Sequence, residues 1–367
     1  MSDFIPDNPY LLLTPGPLST SKGVRNALLK DWCTWDSDYN EDVVQNIRHR
    51  LVKLATNSYE NFTTVLMQGS GSFCIEATIT TALPKSSKLL VITNGVYGNR
   101  IIQMAIVLKI KHIIYSVDEK QVPDCQQVSD ILTKNPDITH VALVHCETTT
   151  GILNPLEKIA KVVKDNNKIL IVDAMSSFGG IVFDVEKLQI DYLVSSSNKC
   201  IQGVPGFGFV IARKTELEKT QRNARSLCLD LYDQWKAMDK TGKWRFTSPT
   251  HTVRAFLQAL VELDIEGGIS SRNQRYVENQ RILSEGMIDL GFDTLLNDEI
   301  QSPIITSFLY PNATFDFNSF YKQIKEKGFV IYPGKISSAN TFRIGNIGEV
   351  YPKDMIKLLQ VINEIKY

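Results

Sequence analysis

Six short runs rich in apolar and β-branched residues recur along the first 213 residues, and they constrain the fold more than any other feature. They are KLLVIT (88–93), HIIYSV (112–117), THVALVHCE (139–147), KILIVDAM (168–175), DYLVSSS (191–197) and GFGFVIAR (206–213). Several are apolar throughout instead of alternating, which is how strands covered on both faces read. Between them lie segments of helical period such as NRIIQMAIVLKI (99–110) and PLEKIAKVVKDN (155–166). Strand–helix–strand repetition predicts an α/β fold with a mostly parallel central sheet flanked by helices. The sixth run follows the fifth after a tight Gly/Pro link, which leaves an antiparallel pairing open to it.

The remainder reads differently. Residues 250–263 and 273–290 have the pattern of long helices, with Gly267 and Gly268 between them. PIITSFLY (303–310), a helix near 317–327, GFVIYPG (328–334), TFRIGNIG (341–348) and a final helix from Pro352 complete a small α+β unit. A chain of 367 residues exceeds the usual single core. The expected division is a large domain over 1–265, N-terminal segment included, and a small C-terminal domain over 266–367.

Charge narrows the partners. Lys+Arg and Asp+Glu balance at 40 each, so the chain as a whole offers no attraction to nucleic acid or an anionic membrane. No window approaches the apolar length of a membrane span, and the start MSDFIPDNPYLLLTPGP lacks the pattern of a signal peptide. Six scattered cysteines form no C-x-x-C pair, which argues against a metal site or disulfide framework and suits a cytoplasmic protein.

In open α/β sheets ligands bind at the carboxyl ends of the strands, so polar residues that end apolar runs are the ones to inspect. MQGSGSF places Gly69, Ser70, Gly71 and Ser72 before an apparent helix, whose first N–H groups suit a phosphate. A plain glycine turn with a serine cap is the simpler alternative. Asp173 directly follows KILIV, where a carboxylate calls for a cationic partner or serves as a turn residue. Glu147, Thr148, Thr149 and Thr150 crowd another strand end. Lys199 stands in SSSNKCIQGVPGFG, where a partly desolvated amine becomes a nucleophile toward carbonyls. Together the four places describe one cofactor, pyridoxal phosphate: a phosphate cradle, a carboxylate for the pyridinium nitrogen, hydroxyls for the phenolic oxygen and a Schiff-base lysine.

PYLLLTPGPLSTS, DWCTWDSDY, LMQGSGSF, TNGVYGNR, VHCETTTGILNP, VDAMSSFGG, SSSNKCIQGVPGFGFVIA and FRIGNIG carry a resemblance over nearly the whole chain. The sequence resembles the class V, fold-type I aminotransferases, and within them the branch that transfers the amino group of 2-aminoethylphosphonate to pyruvate. The resemblance implies that Lys199 carries the cofactor and acts as general base, and that Asp173 pairs with the ring nitrogen. It implies that Ser70, Gly71, Ser72 and Asn198 hold the phosphate, that Tyr97 stacks on the ring and that Thr148 bonds the phenolic oxygen. Thr247 and Thr250 match positions that reach the neighbouring subunit's phosphate, which implies a homodimer with shared sites. Arg343 matches the residue that takes the substrate's acidic group, with Thr14 and Gly16 of the TPGP turn closing over the substrate.

A serine- or alanine-using aminotransferase of the same fold, paired with glyoxylate or pyruvate, stays open beside this reading, as does a cofactor-binding dimer without activity. A desulfurase is disfavoured, because Asn198 precedes the lysine and no cysteine follows Cys228. A penicillin-recognising serine enzyme, suggested by Ser196-x-x-Lys199 and Lys240-Thr241-Gly242, lacks an S-D-N element and has Gly/Pro where a helix should continue after the lysine.

Overall fold

The computed structural model describes residues 5–334, 336 and 339–365; the first four residues of the N-terminal segment lie outside them. The strands, in chain order, are β1 (Leu11–Leu12), β2 (Phe62–Gln68), β3 (Lys88–Thr93), β4 (Lys111–Ser116), β5 (His140–Val144), β6 (Cys146–Glu147) and β7 (Ile152–Leu153). There follow β8 (Ile169–Asp173), β9 (Tyr192–Ser196), β10 (Phe207–Arg213), β11 (Ile305–Leu309), β12 (Phe329–Val330), β13 (Tyr332–Pro333) and β14 (Thr341–Gly345). The described residues form a seven-stranded sheet in the order β2-β10-β9-β8-β5-β3-β4. The pairs from β9 to β4 are parallel, while β10 runs antiparallel to both β9 and β2.

All six apolar runs lie in this sheet. The interior strand β5 is buried at every residue, as its unbroken apolar sequence requires. At the edge, β4 is half exposed, with Lys111, Tyr115 and Ser116 toward solvent or partly so. One sheet strand had no counterpart in the sequence reading. FTTVLMQ of β2 opens Phe-Thr-Thr, so its apolar stretch is only Val-Leu-Met, yet both threonines are buried. Two runs are divided. THVALVHCE ends its sheet strand at Val144, and Cys146–Glu147 turns out to pair with β7 as a separate ribbon. GFVIYPG splits around buried Ile331: β12 pairs parallel with β1, and β13 pairs antiparallel with β14.

Two large apolar cores result, with a smaller cluster of Leu18, Cys146, Cys200, Tyr276, Ile304, Ile305 and Ile347 beside them. One surrounds the large sheet and collects side chains from Val24 to Leu260. The other gathers Leu283, Met287 and a cluster of phenylalanines, among them Phe292, Phe308 and Phe342, with the Pro352–Glu364 helix. Leu13 belongs to this second core, so the N-terminal segment packs on the C-terminal unit before the chain enters the large sheet. No helix of the described residues is long and apolar enough to cross a membrane.

The N-terminal segment reaches its place through a close backbone approach. The Gly345 N–H donates to the Leu13 carbonyl at 3.0 Å, and a Cβ on Gly345 would stand 2.7 Å from the Thr14 carbonyl carbon and oxygen. Neither atom can rotate aside. Gly345→Ala is therefore expected to cost about 1–3 kcal/mol of unfolding free energy, read by urea denaturation, and to loosen the Thr14–Pro17 turn as well. An unchanged midpoint would show that the segment yields freely.

Candidate active site

The carboxyl ends of β5, β8 and β9 meet the N-termini of two helices around a cavity of about 230 Å³. The Gly71–Ala82 helix brings Ser70, Gly71 and Ser72 to its wall, and the Val96–Val107 helix brings Tyr97 and Arg100. Asp173 ends β8, and Ser196, Asn198 and Lys199 follow from β9. Seven of the residues singled out from sequence thus line one space.

Ser70 caps its helix in extended conformation, but its side chain makes no capping hydrogen bond. Its hydroxyl and the first helical N–H groups are the donors that an anion needs. Asp173 is buried, and burial pushes its carboxyl up to about 6, while the Met175 N–H at 3.0 Å, Lys199 and Arg100 pull the other way. A cationic ring nitrogen opposite it would favour the ionised form further. The Lys199 amine is pulled down to about 8 by burial, with Arg343 acting in the same direction and Asp173 against it.

The Thr14–Pro17 turn lies directly over that amine. Lys199 Nζ donates to the Pro15 carbonyl at 2.8 Å. Gly16, at φ +111°, leaves room that a side chain would fill: a Cβ there would meet Lys199 Cδ at 2.7 Å and Nζ at 3.0 Å. Thr14 is buried beneath, its hydroxyl donating to the Pro17 carbonyl. Behind Lys199 the chain is pinned by the Gly268–Asp289 helix. Buried Arg272 donates to the Cys200 carbonyl at 2.9 Å and is paired with Glu266. Gln202, with φ +69°, donates to the Tyr276 hydroxyl at 2.8 Å.

Thr148 and Arg343 stand beside the cavity rather than among its lining residues. Thr148 is buried, and its hydroxyl has no partner among the described residues. Its carbonyl accepts from Arg343 Nη1 at 2.8 Å, and Arg343 Nε donates to the Pro333 carbonyl at 3.0 Å. Thr247 is exposed and Thr250 begins the Thr250–Glu266 helix. Within one chain neither joins the cavity lining.

The family model described as "Aminotransferase class-V" matches residues 38–331. The chain belongs to the class-V aminotransferases. It is 59% identical over 360 residues to the 2-aminoethylphosphonate–pyruvate transaminase of Bacteroides fragilis, covering 98% of this chain and 99% of that protein. It is 60% identical to the transaminase of the same name from Vibrio vulnificus, over 98% of each chain. A bifunctional phosphonoacetaldehyde hydrolase/aminoethylphosphonate transaminase of Clostridioides difficile is 58% identical over 99% of this chain and 57% of its own length. Among solved structures, the alanine–glyoxylate aminotransferase of Nostoc sp. superposes with a TM-score of 0.89 at 24% identity, covering 99% of this chain and 96% of that one. At that identity the likeness speaks for the fold.

Class-V aminotransferases use pyridoxal phosphate, and the donor set here fits it. An anion cradle with unspent donors, a buried carboxylate, an enclosed amine and an orphaned buried hydroxyl are what its phosphate, ring nitrogen, carbonyl and phenolic oxygen require. Two residues at this class-V site had no role from sequence. Arg100 lies three positions after Tyr97 on one helix, a spacing that puts both on one face. Glu147 is fully buried: Oε2 accepts the Tyr97 N–H at 3.0 Å, and Oε1 accepts the Thr149 hydroxyl at 2.7 Å. It ties the Val96–Val107 helix to the threonine loop, a long-range link that no spacing announces.

Burial pushes Glu147 up to about 7, against its hydrogen bonds from Thr149 and Tyr97, with Asp173 adding to the rise. A carboxyl raised in the folded state contributes stability that is present below the unfolded value near 4.5 and is lost as pH rises through 7. The loss is on the order of 3 kcal/mol for a shift of that size. Glu147→Gln, which cannot ionise, is expected to flatten the fall in unfolding free energy of the cofactor-free chain between pH 5 and 7.5, measured in urea; Asp173 leaves a residual slope below pH 6. Identical slopes in the two proteins would exclude Glu147 as the titrating group.

Proposed function

We infer that this chain is a pyridoxal-phosphate-dependent aminotransferase that moves the amino group of 2-aminoethylphosphonate to pyruvate, giving phosphonoacetaldehyde and L-alanine. The observation that carries the reading is 59% identity with 2-aminoethylphosphonate–pyruvate transaminases along 98% of the chain. It favours the phosphonate donor over the serine- or alanine-glyoxylate alternative, which rests on fold likeness at 24% identity or less in the solved relatives cited.

Bound pyridoxal phosphate supplies an electrophilic carbonyl and an electron sink. The chain supplies the rest. Lys199 would hold the cofactor through its amine and, once displaced by the substrate amine, would act as the general base that moves the proton from the amine-bearing carbon. Its lowered pKa keeps a useful fraction of the amine neutral for that work. Asp173 holds the proton on the ring nitrogen. Ser70, Gly71, Ser72 and Asn198 hold the phosphate, Tyr97 faces the ring, and Thr148 donates its free hydroxyl to the phenolic oxygen. Arg343 takes the acidic group of either substrate, its fork suited to carboxylate or phosphonate. The turn with Thr14 and Gly16 excludes water above Lys199 and closes over the substrate.

Thr247 and Thr250 are outside the cavity lining of their own chain, and this favours their proposed service to the neighbouring subunit's phosphate in a homodimer. The two apolar cores favour a large domain up to about residue 265 and a small one beyond it, with the N-terminal strand seated on the small one. The absence of any paired cysteine among the described residues accords with a cytoplasmic site of action.

The purified protein is expected to absorb visible light through its cofactor, to bleach when 2-aminoethylphosphonate is added, and to recover with pyruvate. A band that responds to alanine or serine and not to the phosphonate would move the substrate assignment. Lys199→Ala should lose more than the ~10²–10⁴-fold typical of a general base, because it also removes the covalent anchor. Substantial turnover by that variant without added amine would remove Lys199 from its role. Sedimentation should give about twice the 41.4 kDa chain mass, and a monomer with full activity would exclude shared sites.

A further inference from the structure

The groups assigned to the cofactor phosphate are all neutral: Ser70, Gly71, Ser72 and Asn198, helped by the dipole of one helix N-terminus. A phosphate monoester carries a charge of about −1.5 to −2 at pH 7. Two cations line the cavity among its described residues, Lys199 and Arg100. Lys199 is committed to the cofactor carbonyl. Arg343 lies outside the lining and spends two nitrogens on the Thr148 and Pro333 carbonyls.

Arg100 is placed otherwise. Its Nη1 donates to Ser72 Oγ at 3.0 Å, and its guanidinium carbon lies 5.0 Å from the centre of the Tyr97 ring. No carboxylate of the described residues forms an ion pair with it. The half-buried guanidinium is thus steered to the cradle by a hydroxyl and an aromatic face, and its charge is met only at longer range, by the Asp173 carboxyl, among the described residues. Because Ser72 Oγ accepts from Arg100, its own O–H is left to donate into the cradle.

We propose that Arg100 is the cationic anchor of the cofactor phosphate, acting on that group directly and by orienting the Ser72 hydroxyl toward it. The inference rests on the cofactor reading above. It separates Arg100 from the ring-binding residues: Asp173, Tyr97 and Thr148 hold parts of the cofactor that pyridoxal also has, whereas Arg100 holds only what the phosphate adds.

The test compares cofactor-free wild type, Arg100→Met and Arg100→Lys, each titrated with pyridoxal phosphate and with pyridoxal, binding being followed by absorbance and by quenching of protein fluorescence. Inorganic phosphate is then used as competitor. Removing a charged hydrogen-bond donor should weaken pyridoxal phosphate by about 10- to 100-fold in Arg100→Met. Pyridoxal should bind as in wild type, phosphate should compete less well, and Arg100→Lys should recover part of the loss. Unchanged affinity of Arg100→Met for pyridoxal phosphate would overturn the proposal. So would an equal loss for both ligands, which would make Arg100 a support for Tyr97 alone. Failure of wild type to bind pyridoxal phosphate at all would instead sink the cofactor reading on which the proposal stands. Circular dichroism melting of the variants detects misfolding, and the pyridoxal titration repeats that control at the site itself.

Discussion

The site depends on keeping one amine out of water. Burial lowers the Lys199 amine to about 8 and raises Asp173 to about 6, so the two groups approach each other in acidity although their ordinary values lie far apart. Neither shift survives if water reaches the cavity freely. The cover comes from the Thr14–Pro17 turn, which touches Lys199 itself through the Pro15 carbonyl. That turn is held by Gly345 on β14, in the C-terminal unit, whereas Lys199 follows β9 of the large sheet. The acidity of the amine is therefore a property of how the two cores sit against each other.

The sheet topology explains why the parts converge. Parallel strands β5, β8 and β9 end on the same edge: Asp173 closes β8, Asn198 and Lys199 follow β9, and the chain beyond β5 runs on to Glu147 and Thr148. The antiparallel return of β10 then forces the chain to double back between Ser196 and Phe207, and the resulting loop carries Asn198 and Lys199. Such a loop needs outside support for its backbone polar groups. Arg272 and Tyr276 meet the Cys200 carbonyl, and Gln202 reaches both the Tyr276 hydroxyl and the Gly348 carbonyl. These bonds run to the Gly268–Asp289 helix and the Gly348 loop, where Tyr276 and Cys200 share a small apolar cluster.

What was legible in the sequence follows from range. Apolar strands that end in Asp173 or in SSSNK show themselves locally, because burial on both faces demands an unbroken apolar run. The glycine–serine start of the Gly71–Ala82 helix shows itself for the same reason. β2 escaped because its inward threonines read as polar, though the sheet buries them. GFVIYPG looked like one strand because alternation cannot tell that its two halves bond to different sheets. The link made by Glu147, a residue visible at its strand end, and the place of Arg100 escaped for a further reason: each matters through a partner some fifty or twenty-eight positions away in sequence, Tyr97 for one and Ser72 for the other.

The charges at the site divide the labour by geometry. The chain is neutral overall, so two anionic groups, a cofactor phosphate and a substrate phosphonate, must each find a cation nearby. One arginine could not serve both ends of a bound cofactor–substrate pair. Arg343 is fastened by Nε and Nη1 to two backbone carbonyls, which fixes its plane, and Nη2 has no protein partner among the described residues. A guanidinium held that way presents its remaining edge in one direction, as selection of an acidic group requires. Arg100 is fastened on the opposite principle, by a hydroxyl that can pass the charge onward as a hydrogen bond. Arg343 is tied to the Thr148 carbonyl, so with the roles proposed for these two residues, substrate charge and cofactor ring would be coupled through one residue. On that proposal the phosphate end would be held from the Val96–Val107 and Gly71–Ala82 helices, and Glu147 ties the first of these to the same threonine loop.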